Sequence, residues 1–183
     1  MSKEIRLKKG LNINLSGSAD KVYASLKPEQ ICKKYVLKPT DFHALTPKLL
    51  VKVGDRVNAG SPLFFDKYND RVMYCSPVSG EVIDIVRGNK RRILEVIVNS
   101  DDEIKYESFP KSSAKELSRE EIIDRMLKAG VWPFIRQKPY DIVASPKDIP
   151  KSIFISTFKS SPLSIDNEFA LYGMEELFQK GLD

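Results

Sequence analysis

The sequence predicts an α+β protein, in which a β domain with one added helix is followed by the start of an α/β domain. Three observations support this fold class. Short β-branched runs over 50–98 are separated by glycine turns, which is typical of strands joined at tight corners. A capping box introduces helical spacing over 119–129. A strand-like run and a helical stretch then follow near the end of the chain, so we place the domains at 1–149 and 150–183.

The first part of the chain is predicted to consist of strands and turns. Residues 5–15 alternate around Gly10 as a strand, a turn and a strand, and a further strand is expected at 35–37. Residues 46–51 lead into the first glycine turn. The strands that follow are placed at 62–65, 72–75, 80–86 and 92–98. The residues assigned structural roles at their corners are Gly54, Asp55, Gly60, Pro77 and Gly80.

A cationic cluster occupies the predicted hairpin tip between the last two of these strands. The turn signal Gly88-Asn89 lies among four basic residues, Arg87, Lys90, Arg91 and Arg92. A solvated tip explains the cluster most simply, and contact with anionic lipid headgroups or with an acidic partner is the alternative. Nucleic acid is disfavoured, because no aromatic stacking run or reading helix accompanies the charge.

The helix after the β region is the most clearly marked local element. Ser118 and Glu121 have the spacing of a capping box, in which each side chain satisfies a free main-chain N–H. Apolar residues follow at helical spacing, and Gly130 stands where a C-terminal cap is expected. These signals predict a helix over 119–129.

The remaining segments predict the opening of a second domain. Four prolines in 133–150 indicate an extended, ordered connector. Residues 152–156 have the composition of a short buried strand, and Asp166 is expected to cap a second helix that ends near Gly181. A strand followed by a loop and a helix is how an α/β unit begins.

The amino-acid composition is typical of a folded globular protein. Of the 183 residues, 42% are apolar and 30% are charged, and the net charge is +5. There is no run of about 18 apolar residues, and no apolar segment follows the basic N-terminus. We therefore expect no bilayer span and no secretory signal, which favours a cytoplasmic location. Cys32 and Cys75 have no CxxC or histidine neighbours, which predicts free thiols and no metal site.

The glycine corners resemble those of the biotinyl/lipoyl hammerhead module, a flattened barrel-sandwich β domain whose two halves meet around such turns. The segments that carry this resemblance are 53–57, Gly60 and 76–82. The resemblance implies one of two roles. Carrier domains of this shape expose a modifiable lysine between the halves, whereas relatives without that lysine serve as structural or docking modules.

Lys67 is the candidate carrier lysine, but its surroundings favour an unmodified residue. It follows Asp66 and precedes Tyr68, so it has neither the methionine flanks of biotin carriers nor the Asp-Lys-Ala of lipoyl carriers. The Asn69-Asp70 turn signal lies two residues further on, which places the hairpin apex beyond Lys67. We expect a solvated loop lysine here.

No catalytic residue is predicted in this chain. His43 is the only histidine, and no serine or cysteine in a nucleophile-elbow setting accompanies it. Neither GxGxxG nor GxxxxGK[ST] occurs, so nucleotide binding has no local support.

An aromatic and basic cluster after the helix is the one candidate binding site. Trp132, the only tryptophan, is followed by Phe134 and Arg136. The intervening proline stops the helix and turns these side chains out of it. Such a group could stack on a flat, carbonyl-bearing ring and orient it through the guanidinium. The alternative is an apolar plug that packs the helix end onto the barrel.

Nearly the whole chain resembles the N-terminal part of one subunit family, the A-type subunits of sodium-translocating NADH:quinone reductases. The matching segments, in order, are 5–11, 51–57, Gly60, 62–64, 66–67, 77–80, 87–91, 127–132, 136, 138–140, 153–156, 162–163, 166 and 173–178. This resemblance implies a peripheral subunit on the cytoplasmic face of the inner membrane, which binds no flavin or iron–sulfur group and assists quinone binding and subunit docking. Its implied partners are quinone and the other subunits, so its membrane association is indirect.

Three alternatives remain at this point. The first is a biotin or lipoyl carrier modified at Lys67. The second is the related subunit of an Rnf-type electron-transport complex, which has a similar module together with iron–sulfur clusters elsewhere. The third is a purely structural module, in which substitutions at the basic hairpin tip would weaken assembly but spare quinone turnover.

Overall fold

The computed structural model describes residues 20–23, 32–156 and 164–182. These residues form two compact units. The larger comprises 32–149, and the smaller comprises the described residues before it and from 150 onward. The strand pair predicted over 5–15 lies outside the described residues.

Two antiparallel sheets make up most of the larger unit. The strands of the first sheet, in spatial order, are β1 (Lys34–Leu37), β7 (Ile93–Ser100), β6 (Gly80–Arg87) and β3 (Arg56–Val57). Those of the second are β2 (Pro47–Leu49), β4 (Pro62–Asp66) and β5 (Asn69–Cys75). The structure confirms the predicted strands at 35–37, 62–65, 72–75, 80–86 and 92–98, with their ends shifted by a few residues.

Main-chain hydrogen bonds hold the glycine corners against each other. The Gly54 N–H donates to the Val82 carbonyl at 2.8 Å, and the Val82 N–H donates to the Asp55 carbonyl at 2.9 Å. At the next corner, just before β4, the Gly60 N–H donates to the Ser76 carbonyl at 2.8 Å. The turn before β4 is therefore bonded to the turn before β6, which is the meeting of two halves that the sequence predicted.

One apolar core joins both sheets and a helix. The side chains with almost no exposed surface include Leu63, Phe64, Val72, Val82, Val96, Val98 and Leu127. Helix α1 (Arg119–Lys128) contributes Ile123 and Leu127 to this core. The predicted capping box is present, because the Ser118 Oγ accepts the Glu121 N–H and the Glu121 carboxylate accepts the Ser118 N–H.

The prediction of an extended connector over 133–150 is wrong. A 3₁₀ turn, Trp132–Phe134, is followed by a short hairpin of β8 (Arg136–Gln137) and β9 (Ile142–Val143). The prolines permit this arrangement. Pro133 lies at the start of the 3₁₀ turn, where an N–H would have no partner, and Pro139 lies in the loop of the hairpin.

The buried strand predicted at 152–156 is also wrong. The side chains of Ile153, Phe154 and Ile155 are 61–87% exposed, and these residues have no strand conformation. A strand is stable only beside a hydrogen-bonded neighbour, and none of the described strands pairs with this segment.

The helix predicted from Asp166 to Gly181 is divided into α2 (Asn167–Leu171) and α3 (Glu175–Leu182). The Asp166 cap is confirmed, because its carboxylate accepts the Phe169 N–H at 3.1 Å. Gly173 interrupts the helix with a φ of +78°, a left-handed conformation that glycine adopts without strain. No described helix combines the length and apolarity needed to cross a bilayer.

Candidate functional site

A small cleft opens in the larger unit where the end of α1 meets β5. Its volume is about 60 Å³ and its walls are mainly apolar. The residues that line it are Leu37, Phe42, Tyr74, Cys75, Gly130, Pro133 and Phe134. Since these side chains come from β1, β5 and the turns around them, the cleft is a product of the packed larger unit.

A row of aromatic rings leads from the core to one wall of this cleft. The Phe64 and Tyr74 rings are stacked with centroids 5.0 Å apart, and Phe42 meets Tyr74 edge-on at 4.6 Å. The Arg136 guanidinium lies 5.9 Å from the centroid of Phe42. A cation is thereby held against a ring that is itself packed on the core, an arrangement favoured by cation–π attraction.

The structure places the three residues of the predicted binding cluster differently. Trp132 is 8% exposed and belongs to the core, and its indole N–H donates to the Ala144 carbonyl at 2.7 Å. Phe134 is 77% exposed and lines the cleft. Arg136 is half-buried and does not line the cleft itself, but its guanidinium lies over the ring of Phe42, which does. Only Phe134 therefore faces the opening directly, and Trp132 supports the turn from which Phe134 projects.

The Asp141 carboxylate lies beside two cations, the Arg136 guanidinium and the Lys138 ammonium. The Lys138 ammonium, 2.7 Å from that carboxylate, lowers the pKa of Asp141, and Arg136 and His43 lower it further. Arg136 also donates to the main-chain carbonyl of Asp141 at 3.2 Å. The guanidinium is thus positioned by the β8–β9 hairpin rather than free to move away from Phe42.

The polar groups inside the cleft are protonated at neutral pH. Burial raises the pKa of the Tyr74 phenol above its ordinary value, so the hydroxyl keeps its proton. Burial, with a smaller effect from Glu107, raises the pKa of the Cys75 thiol to about 11. A protonated thiol is a poor nucleophile, so the Cys75 thiol is poorly suited to attack a ligand in the cleft. Within the described residues, no group of three or more His, Cys, Asp or Glu could hold a metal ion.

Three of the cleft residues, Phe42, Tyr74 and Cys75, were not predicted from the sequence. Tyr74 lies two residues after the buried Val72 and therefore on the same face of β5, and this period of two could have marked it as inward-facing. Phe42 follows a 3₁₀ turn, Pro39–Asp41, and carries no local signal of its position.

The prediction that Lys67 lies away from the hairpin apex is wrong. Asp66 pairs with Asn69, so Lys67 and Tyr68 are the two turn residues between β4 and β5. A register shift after Phe65 produces this turn, because β5 carries extra residues opposite the end of β4. Lys67 is exposed, and its Nζ lies 5.6 Å from the centroid of the Tyr68 ring.

Two family models match the chain in succession. Residues 5–101 match the NqrA N-terminal barrel-sandwich hybrid domain, and residues 117–183 match the NqrA second alpha/beta domain. This chain belongs to the NqrA family. The fold class predicted from the sequence, a barrel-sandwich β domain followed by part of an α/β domain, is thereby confirmed. The NqrA second-domain match includes α1, although this helix contributes to the core of the larger unit.

Relatives within the NqrA family are named as the A-type subunit of the Na(+)-translocating NADH-quinone reductase. The protein of Pseudomonas aeruginosa (strain UCBPP-PA14) is 33% identical over 180 residues, which cover 97% of this chain and 40% of the relative. The proteins of Marinomonas sp. (strain MWYL1) and Tolumonas auensis are 32% and 34% identical, with the same coverage of both chains. The chain thus spans about 40% of the length of the relatives it matches.

Proposed function

We propose that this chain is part of a peripheral subunit of a membrane complex that couples NADH oxidation and quinone reduction to sodium export. The match to both NqrA domain models in order, over 5–101 and 117–183, carries this proposal. In this role the chain binds no redox cofactor of its own. It docks onto the other subunits at the cytoplasmic side of the inner membrane and assists the binding of quinone, which is a substrate of the complex.

The cleft beside β5 supports a contribution to quinone binding. A planar ring placed against Phe134 would lie beside Phe42, and stacking would supply most of its affinity. The Arg136 guanidinium, held near Phe42, would donate to a ring carbonyl. The buried Tyr74 hydroxyl keeps its proton and offers a second donor. Trp132 contributes by fixing the 3₁₀ turn that presents Phe134.

Replacing Phe134 with alanine and Arg136 with glutamine is expected to weaken quinone binding about tenfold or more, since the stacked ring and the guanidinium hydrogen bond each contribute roughly 1 kcal/mol. Phe134 is mostly exposed, so its removal should leave the core intact. Binding of a short-chain ubiquinone analogue to the chain can be followed by quenching of Trp132, the only tryptophan, and compared with the quinone KM of the complex.

Tyr140→Ala provides the matched control for this experiment. Tyr140 is 71% exposed but does not line the cleft, so its removal should change neither the affinity nor the KM. An unchanged affinity in the Phe134 and Arg136 variant would show that quinone binds elsewhere. Trp132→Ala is less informative, because truncating a buried aromatic costs about 3–5 kcal/mol of stability.

A carrier domain is the second candidate, because Lys67 lies at the hairpin apex as a carrier lysine would. Its flanking residues differ from those of biotin and lipoyl carriers, so we expect no modification. The intact mass of the protein purified from its native host should equal the mass encoded by the sequence. An increment of one biotinyl or lipoyl group that disappears in a Lys67→Arg variant would favour the carrier instead.

A further inference from the structure

We propose that the tip of the β6–β7 hairpin, residues 87–92, binds the anionic phospholipid surface of a membrane. The tip contains four cations within six residues, Arg87, Lys90, Arg91 and Arg92. All four side chains are exposed. This inference rests on the proposed function in one respect only, namely that the protein works beside a bilayer.

The cations of the tip have no acidic partners in the part of the chain that the structure describes. None of the four forms an ion pair there, whereas Glu95, which follows them on β7, is paired with Lys38 at 3.4 Å. The Arg87 guanidinium instead donates to the main-chain carbonyl of Arg91 at 3.4 Å. The positive charge of the tip is therefore left for a ligand outside these residues.

The main chain of the tip is held in a strained conformation. Lys90 and Arg91 have φ angles of 56° and 59°, in the left-handed region that non-glycine residues seldom adopt. Two hydrogen bonds close the loop, from the Gly88 N–H to the Arg92 carbonyl at 2.8 Å and from the Arg92 N–H to the Asn89 carbonyl at 3.2 Å. Two consecutive cationic residues thus occupy positions where glycine would be more stable, which indicates that their side chains serve a purpose other than folding.

The chemistry of the tip favours phospholipid over other anionic partners. Protein interfaces usually have an apolar or aromatic centre. Residues 87–92 contain no apolar side chain. Single-stranded nucleic acid is bound by stacking on aromatic rings, which the tip also lacks. A layer of mobile phosphate headgroups needs neither feature, because it adapts to closely spaced cations and attracts them by charge alone.

The test measures cosedimentation of the full chain with vesicles. Phosphatidylcholine vesicles are compared with vesicles that also contain phosphatidylglycerol. We expect binding to the anionic vesicles only, and we expect it to be lost in about 1 M salt, where charges are screened within about 3 Å. Equal binding to neutral vesicles, or binding that survives high salt, would overturn the proposal.

A variant with Lys90→Gly and Arg91→Gly isolates the contribution of the tip. Glycine adopts the left-handed conformation without strain, so this variant should fold at least as well as the parent. Its partition onto anionic vesicles should fall roughly 25-fold, the product of about fivefold for each basic residue. The matched control is Lys111→Gly with Lys147→Gly, two exposed lysines outside the tip, for which a much smaller loss is expected.

Two outcomes would reject the proposal specifically. An equal loss in the tip variant and in its control would assign binding to net charge rather than to the hairpin. Normal partition of the tip variant together with failure to assemble into the complex would assign the tip to an acidic protein surface. The Phe134→Ala variant should bind vesicles normally, which separates this result from that of the quinone experiment.

Discussion

Replacing Gly80 with alanine is expected to lower the free energy of unfolding by about 3 kcal/mol or more, because strain and overpacking act at the same position. A methyl group built there would lie 1.9 Å from the Asn99 carbonyl oxygen and 2.8 Å from its carbon. Both are main-chain atoms, so no side-chain rotation relieves the clash. Gly80 also pairs with Val57 of β3 and Ser100 of β7, so any main-chain shift disrupts two strand pairs at once.

Urea unfolding of the chain, followed by Trp132 fluorescence, measures this loss. Gly54→Ala is the matched control, because Gly54 has a φ of +92° but nothing within 4 Å of the added methyl group. Only conformational strain applies at that position, and it amounts to roughly 1–2 kcal/mol. If the two variants are equally stable, the close approach of β6 to β7 at Gly80 does not limit the fold.

The second large effect is expected from Gly130→Ala, with a loss of about 2–4 kcal/mol from strain and overpacking combined. Gly130 has a φ of +70°, and an added methyl group would lie 2.5 Å from the Cys75 Sγ and 2.8 Å from its Cβ. The short distances show that the end of α1 packs closely against β5 at Gly130 and Cys75. Because both residues line the cleft, the substitution should also narrow the candidate quinone site.

A double-mutant cycle with Cys75→Ala tests the origin of this loss. Removal of the sulfur eliminates the closest contact, so the double variant should recover about 1 kcal/mol or more relative to the sum of the single changes. Urea midpoints at constant m-value provide the measurement. Purely additive effects would mean that Gly130 is required for its left-handed conformation and not for its contact with Cys75.

Local rules were sufficient for much of the fold. The capping box of Ser118 and Glu121 and the Asp166 cap depend on hydrogen bonds within three residues. The positions of the glycine corners at Gly54, Gly60 and Gly80 follow from the positive φ angles that these single residues adopt. The same rules failed at Lys67. The local turn signal favoured Asn69-Asp70, but the pairing register of β4 with β5 moved the turn earlier.

The candidate site was predictable only in part. Phe134 was identified because an aromatic residue next to a helix-ending proline is exposed by local geometry. The burial of Trp132 could not be distinguished from exposure by the same local pattern. Its indole N–H is satisfied by Ala144, a partner that becomes close only through the hairpin of β8 and β9.

The sequence by itself determined the NqrA family membership, the fold class, and the turns and caps whose geometry is encoded over a few residues. The tertiary structure alone decided that Phe42, Tyr74 and Phe134 line one cleft, and that Cys75 lies beneath Gly130. These contacts join residues far apart in the chain, and they depend on how the sheets and the helix pack. Because packing is a property of the whole core, no local pattern of residues specifies it.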